Sequence, residues 1–395
     1  MKEIEKIIEK YEKFIMPTYI HSNVAFVKGS GVKIWDSEGE EYLDFFPGWA
    51  VSGLGHCHKR VVSAVKKQVN RIIHVSNNYY NELQADLAER IVQHSFDGKV
   101  FFANSGAEAN ECAIKLARKY GSTKGRYEVI TMEKSFHGRT IATISATGQE
   151  KVKHGFEPLL DGFKTVPFDD IGAVRGAVTK KTIAVMIEPI QGEGGINVAS
   201  KSYVRELRSL CDEMGLLLIF DEIQTGMGRT GEMFCYQQYD VVPDVMTLAK
   251  SLGGGTPIGA CVAGSKIQDT LLPGSHASTF GGSPLVCAAA IAVFKAIEEE
   301  GLVGRAKDMG GYLKSKLRAL KSDFNFIKDV RGMGLMLGVE LSIEGNRIAQ
   351  ECFDRKLLIN CTQGNILRIM PPLIVKKRHI DKAVSVLREA MRANG

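Results

Sequence analysis

Gly215-Leu216-Leu217-Leu218-Ile219-Phe220, followed by Asp221-Glu222, is the stretch from which the fold is read. The apolar run has the length of a strand and no polar alternation, as expected of a strand buried on both faces of a parallel sheet. It ends on two carboxylates, and open α/β sheets bind ligands at the carboxyl ends of their strands. A second run, Val245-Met246-Thr247-Leu248-Ala249, delivers Lys250 to a comparable level, and Gly253, Gly254 and Gly255 keep bulk away from its amine. An acid and a lysine at neighbouring strand ends suit a pyridine-ring cofactor, which needs a partner for its ring nitrogen and an amine for a Schiff base. The same residues also read as a helix-capping or salt-bridge acid and a solvated lysine. The pair alone does not decide.

Around it the chain alternates. Apolar runs at Val100–Phe102, Glu128–Thr131, Ile183–Ile187, Leu216–Phe220, Val245–Leu248 and Ile258–Ala263 predict strands, with helices such as Ala107–Tyr120 and Tyr203–Met214 between them. Repeated strand–helix units mean a mainly parallel sheet covered on both faces. Helix patterns at Leu285–Glu299 and Val303–Leu320 lead to shorter strands at Met333–Glu340, Leu357–Asn360 and Ile366–Met370, and His379–Ala393 reads as a closing helix. Residues 1–20 read as a helix and approach segment broken at Pro17, and turns at Gly29–Gly31 and Ser37–Gly39 punctuate a small antiparallel meander over Val24–Asp44. The expected organisation is a large domain over residues 51–285, with a smaller α+β domain built from segments 1–50 and 286–395.

A chain of 395 residues, 44% hydrophobic and 24% charged, has the make-up of an ordinary globular protein with a large core. Its charge of +6 is mild and interleaved with acids, which fits anionic small substrates and argues against a nucleic-acid surface. No run approaches a membrane span, and the charged start Met1–Lys10 lacks an apolar signal core, so a cytoplasmic protein is expected. Eight cysteines at wide, irregular spacing, with no Cys-x-x-Cys, read as buried reduced thiols. His56-Cys57-His58 has no second ligand pair, so no metal is expected.

Five further stretches carry polar groups at strand ends or in glycine turns. Asn104-Ser105-Gly106-Ala107-Glu108-Ala109-Asn110 opens a helix and is either a phosphate site or an ordinary N-cap with its capping acid. Ser135-Phe136-His137-Gly138-Arg139-Thr140 pairs an aromatic ring with a cation able to hold a carboxylate bidentately. Glu188 to Gly195 places Glu193 in a glycine turn, Ser278-Thr279-Phe280-Gly281-Gly282 is a hydroxyl-bearing loop, and Arg368 lies on a strand of the smaller domain. Trp49, in the glycine-bearing loop Pro47–Gly55, reads as a candidate rim residue. Walker and GxGxxG spacings are missing, which weakens a nucleotide-binding reading.

With these motifs in order, together with Leu54-Gly55-His56-Cys57-His58, Ser76 to Asn81, Ile219 to Gly231 and Leu248 to Gly255, the chain resembles the class III, fold type I pyridoxal-phosphate aminotransferases from about Trp35 to Pro372. The likeness is greatest to their acetylornithine branch. It implies a seven-stranded, mainly parallel sheet in the large domain, a homodimer with shared active sites, and pyridoxal 5'-phosphate as cofactor. It further implies ping-pong transfer of the δ-amino group of N2-acetylornithine to 2-oxoglutarate, in arginine biosynthesis.

By the same resemblance Lys250 is the Schiff-base amine and proton shuttle, and Asp221 partners the pyridinium nitrogen, with Glu222 beside it among the cofactor residues. Gln224 meets the phenolic oxygen, Ile223 packs beneath the ring and Phe136 stacks above it. Ser105, Gly106 and Ala107 hold the phosphate, helped by Thr279 from the partner subunit. Arg139, with Ser278, grips the carboxylate of the acylated donor, and Arg368 takes the α-carboxylate of glutamate or 2-oxoglutarate. Glu193 is the switch acid that neutralises Arg368 when the ω-amino donor is bound. Trp49 stands where an aliphatic residue is usual, Ser52-Gly53 where Asn-Ala is, Lys59 where Pro is, and Ser283 where Asn is. Ornithine, succinyl-diaminopimelate, 4-aminobutyrate and carrier-bound lysine therefore stay open as donors. From another class, a non-catalytic binding protein on this fold would be signalled by loss of the lysine at 250.

Overall fold

In the computed structural model, which describes residues 3–394, the apolar runs become the middle of one sheet. Met1, Lys2 and Gly395, which belong to the terminal segments read above, lie outside the described residues. The sheet has seven strands in the order Gly98–Ala103, Gly259–Gly264, Val245–Leu248, Leu217–Asp221, Thr182–Ile187, Glu128–Met132 and Phe163–Val166. All pairings are parallel except the two made by Gly259–Gly264. Every residue of Thr182–Ile187, Leu217–Asp221 and Val245–Leu248 is buried, which is why those segments show no alternation.

Local chemistry sets the junctions. Helix Lys201–Met214 buries Tyr203, Val204, Leu207, Leu210 and Cys211, a helical spacing that lays one face on the sheet. Ser200 caps its start by accepting from the Tyr203 N–H, and Gly215 ends it at φ 61, a left-handed conformation that glycine adopts without strain. The Leu216 N–H then returns to the Cys211 carbonyl (2.8 Å), so the chain reverses directly into the strand that carries Asp221.

The N-terminal meander forms from Phe26–Ser30, Lys33–Asp36 and Glu41–Asp44, antiparallel throughout. Its fourth strand, Leu357–Leu358, comes from the far end of the chain and runs parallel to Glu41–Asp44. A separate four-stranded antiparallel sheet joins Ile327–Met333, Met336–Leu341, Ile366–Ile369 and Asn360–Thr362.

Two strand expectations need correction. Met333–Glu340 is not one strand but the turn and second arm of a hairpin: the chain reverses at Gly334 (φ 52), pairing Met333 with Met336, and a Cβ at Gly334 would meet the Thr230 backbone at 2.5 Å. Leu357–Asn360 divides between the two smaller sheets. The seventh strand, which the resemblance implies but the apolar runs leave unplaced, is Phe163–Val166, a short edge strand with only Val166 buried. Among the described residues no helix is long and apolar enough to cross a membrane.

Candidate active site

Asp221 is the last residue of its strand and 4% exposed, so its charge is held by hydrogen bonds rather than by water. Oδ2 accepts from Asn110 Nδ2 (2.7 Å) and lies 2.8 Å from His137 Nδ1, while Oδ1 accepts from the Ile223 N–H (3.1 Å). Asn110 is fixed in turn, donating also to the His137 carbonyl (2.7 Å) and accepting at Oδ1 from the Thr247 hydroxyl (2.7 Å). Thr247 is the register partner of Asp221 on the next strand. Burial works against a charge on His137, but the hydrogen bond and charge of Asp221, with Glu188 behind it, outweigh that and raise its pKa. The result is a buried carboxylate backed by an imidazole whose protonated form it favours.

Lys250 follows its strand at φ 44, a backbone conformation rare outside glycine. That turn leads the side chain into a cavity of about 520 Å³, within the range of small-molecule sites. Burial lowers the amine's pKa, Glu193 raises it, Arg368 lowers it, and Asp221 and Glu188 raise it, with a net downward shift. A lysine with a depressed pKa carries more free amine at any pH below the usual lysine range. In the cofactor-free protein, reaction of Lys250 with a carbonyl reagent should therefore reach half-maximum at a lower pH than ordinary lysines. Glu193→Gln should lower it further, because a charge that raises the pKa is removed. Peptide mapping of the trapped adduct against pH checks this, and an unshifted midpoint refutes it.

Behind the lining residue Glu193, Arg368 is fully buried. Its guanidinium meets Glu193 bidentately (2.7 and 3.2 Å) and donates twice to Asn360 Oδ1 (3.2 and 2.8 Å). The rings of Phe46 and Trp49 flank it at 4.6 and 5.2 Å. Burial favours protonated Glu193, yet Arg368 prevails and holds its pKa below the ordinary value. Trp49 reaches this position from three successive left-handed residues, Gly48, Trp49 and Ala50 (φ 56, 61 and 68). Arg139, exposed beside the Phe136 ring (5.6 Å), has no ion-pair partner among the described residues. One guanidinium at the cavity is thus neutralised and the other is free.

Of the residues singled out from sequence, Ser105, Gly106, Ala107, Phe136, Arg139, Glu193, Asp221, Ile223, Gln224 and Lys250 line this cavity, and Arg368 reaches it through Glu193. Ser105 also caps helix Gly106–Gly121 by accepting from the Glu108 N–H, which is the N-cap reading of that motif. Glu222, expected among the cofactor residues, is not in the lining. Its buried carboxylate accepts from the backbone N–H groups of Cys235 and Tyr236 (both 2.6 Å) and from the Thr225 hydroxyl (3.3 Å). Ser278 and Thr279 line a second recess with Glu108, Glu111 and His276, apart from Arg139. His56 and His58 face different carboxylates, those of Asp44 and Glu300.

Sequence reading assigned no role to Asn110, His137, Thr247, Glu188 or Asn360, although the stretches quoted above contain all five. Asn110, His137 and Thr247 meet partners far along the chain; Glu188 and Asn360 also have near neighbours as partners, Gly192 and Arg368, but no local spacing marks those pairs.

The chain matches the family model described as Aminotransferase class-III over residues 15–391. It belongs to the class III aminotransferases. The acetylornithine aminotransferase of Caldanaerobacter subterraneus subsp. tengcongensis is 51% identical over 96% of this chain and 98% of its own. That of Methanocaldococcus jannaschii is 49% identical over 98% of each. Among solved structures, an ornithine aminotransferase from Toxoplasma gondii with partial occupancy of PLP at its active site superposes with TM-score 0.94 at 32% identity, covering 99% of this chain and 95% of that one. The sheet described above is thus the mixed α/β core of a fold type I aminotransferase.

Proposed function

We propose that this aminotransferase moves the δ-amino group of N2-acetylornithine to 2-oxoglutarate as a cytoplasmic homodimer using pyridoxal 5'-phosphate. The observation that carries the reading is the asymmetry of the two guanidiniums: Arg139 is free and Arg368 is neutralised by Glu193. A donor that enters amine first, with its carboxylate outermost, needs a cation only at the far end. The relatives named acetylornithine aminotransferase, at about half identity along the whole chain, point the same way.

The residues present fit the cofactor. Gln224 Oε1 and His137 Nε2 are buried without a hydrogen-bond partner. A Cβ at Gly106 would fall 2.8 Å from Ile223, so only glycine lets that helix start approach so closely. When bound, pyridoxal phosphate supplies an electron-withdrawing ring that stabilises negative charge on the substrate carbon bearing the amine. The N–H groups of Ser105, Gly106 and Ala107 at the helix start would hold its phosphate. Asp221 would keep its ring nitrogen protonated, and Ile223, Phe136 and Gln224 would hold its ring. Lys250 Nζ would be the amine that attaches it and the group that moves the substrate's Cα- or Cδ-borne proton. Arg139 binds the outer carboxylate.

Thr279 and Ser278 line a neighbouring recess with Phe280, which is exposed, as are Tyr79 and Tyr80. Such an apolar surface suits a second copy, through which Thr279 reaches the partner's phosphate and Ser278 the partner's donor carboxylate. Segments 1–50 and 286–395 act as the smaller domain against 51–285. A screen of amino donors with 2-oxoglutarate, following glutamate formation, tests the substrate. Preference for ornithine or 4-aminobutyrate over N2-acetylornithine would overturn it.

The switch makes a sharper test. Uncompensated, Arg368 is an unpaired charge beside the apolar stem of the ω-amino donor, which is costly in a dry site. Glu193→Ala should slow the acetylornithine half-reaction by roughly tenfold or more while sparing the glutamate half-reaction. Arg368→Ala should do the reverse, and Arg139→Lys should weaken both by losing the bidentate fork. Single-turnover absorbance changes with each donor decide it, and equal losses for Glu193→Ala would remove the switch.

A further inference from the structure

We infer that Glu188 is a positioning residue: by holding the turn of Glu193 in fixed register with Phe136, it sets how tightly Glu193 closes on Arg368. Glu188 follows directly on strand Thr182–Ile187 and is 6% exposed. Its two oxygens are committed to two different loops. Oε2 accepts from the Phe136 N–H (3.0 Å) and Oε1 from the Gly192 N–H (3.2 Å). From the other side, Thr362 Oγ1 and Gln363 Nε2 donate to the Glu193 carbonyl at 2.7 and 2.8 Å. The turn also has no slack, since a Cβ at Gly194 would lie 2.6 Å from the Lys134 carbonyl oxygen. Its backbone is therefore pinned on both flanks, and Glu193 swings by side-chain rotation alone.

Arg368 is equally fixed, by Asn360 and between Phe46 and Trp49. A bidentate pair demands that two forks align, and here both are set by their surroundings. Of the groups that set Glu193, only Glu188 also holds the ring-facing Phe136. Loosening Glu188 should leave each partner in place but spoil their alignment. The closed pair becomes less populated, and Arg368 is more often free for an incoming carboxylate. Ligands that need the closed pair weaken and ligands that need it open strengthen, whereas a general structural defect would weaken both. This rests on the roles proposed above for Glu193 and Arg368.

The test uses the full-length, cofactor-loaded protein in a Trp35→Phe background. The chain has two tryptophans, so Trp49, 5.2 Å from Arg368, is then the sole indole and reports on that guanidinium. Glutarate serves as a non-reacting dicarboxylate. Burial pushes the Glu188 carboxyl up to about 7, so titrations are run at pH 8, where it is ionised. In both Glu188→Gln and Glu188→Asp, the glutarate Kd should fall and the KM for N2-acetylornithine rise, each by about threefold to tenfold, the worth of one hydrogen bond. Glu188→Asp keeps the charge and shortens the reach. A shift in Glu188→Gln alone is thus a charge effect and overturns the inference, as do parallel changes or none. Hydrogen exchange on the unmutated protein adds an arm that needs no variant: the Phe136 and Gly192 amides should stay protected when glutarate binds, and protection lost at Gly192 overturns the pinned turn. If Arg368→Ala leaves the glutarate Kd of the unmutated chain unchanged, the switch itself fails and this inference with it. If only the Glu188 variants are silent, the switch stands and the inference alone falls.

Discussion

Lys250→Ala should hold no covalently attached cofactor after reconstitution with pyridoxal phosphate and borohydride reduction, and should lose turnover by at least about 10⁴-fold, the upper end for a positioned acid–base group. The expectation comes from position. Lys250 is the amine that a buried strand and a left-handed residue lead into the cavity, and burial holds its pKa down so that the free amine is available. Lys153, at 8% exposure, is also nearly buried, but its amine is taken up by Glu150 (3.0 Å) and it is not in the cavity lining. Borohydride reduction of the loaded protein followed by peptide mapping should find the label on Lys250. A label on any other lysine would end the assignment.

Asp221→Asn should fold and bind the cofactor, yet react about 10²- to 10³-fold more slowly, since preorganised electrostatic groups are typically worth about 2.7–4 kcal/mol each. The amide has one oxygen where the carboxylate has two, so it can accept from Asn110 or from the Ile223 N–H but not from both, and it removes the charge that raises the His137 pKa. The His137 pKa should then fall, because the charge and hydrogen bond that raise it against burial are gone or weakened. Circular dichroism should be unchanged while single-turnover rates drop. Rates within about threefold of the parent would take Asp221 out of this role.

What could be read in advance follows from how far each interaction reaches along the chain. Strands buried on both faces announce themselves as unbroken apolar runs, so Asp221 and Lys250 could be placed before any coordinates. The groups that hold Asp221 could not, because His137 and Asn110 stand 84 and 111 residues away from it. Glu222 is outside the cavity lining, in keeping with adjacent side chains at a strand end pointing to opposite sides, so that Asp221 faces the cavity and Glu222 does not. Phe163–Val166 escaped because it is a four-residue edge strand whose first three residues are only partly buried or exposed. The hairpin at Gly334 was hidden for another reason: the constraint is the backbone of Thr230, a distant partner that local patterning does not encode.

The parallel strand Leu357–Leu358, inserted beside Glu41–Asp44, has a consequence for how the chain matures on the ribosome. Residues 41–44 leave the exit tunnel early, with one neighbour from their own meander and one bare edge. That edge waits for more than three hundred further residues, which at about 5–20 residues per second is on the order of tens of seconds. Arg368 emerges later still, so no nascent chain can assemble the guanidinium, its acid and its flanking rings before synthesis is almost complete. Non-local pairing of this kind is slow to form and leaves an unpaired edge open to aggregation in the meantime. Chains truncated before Leu357 should accordingly accumulate as insoluble material, however well their seven-stranded sheet has formed.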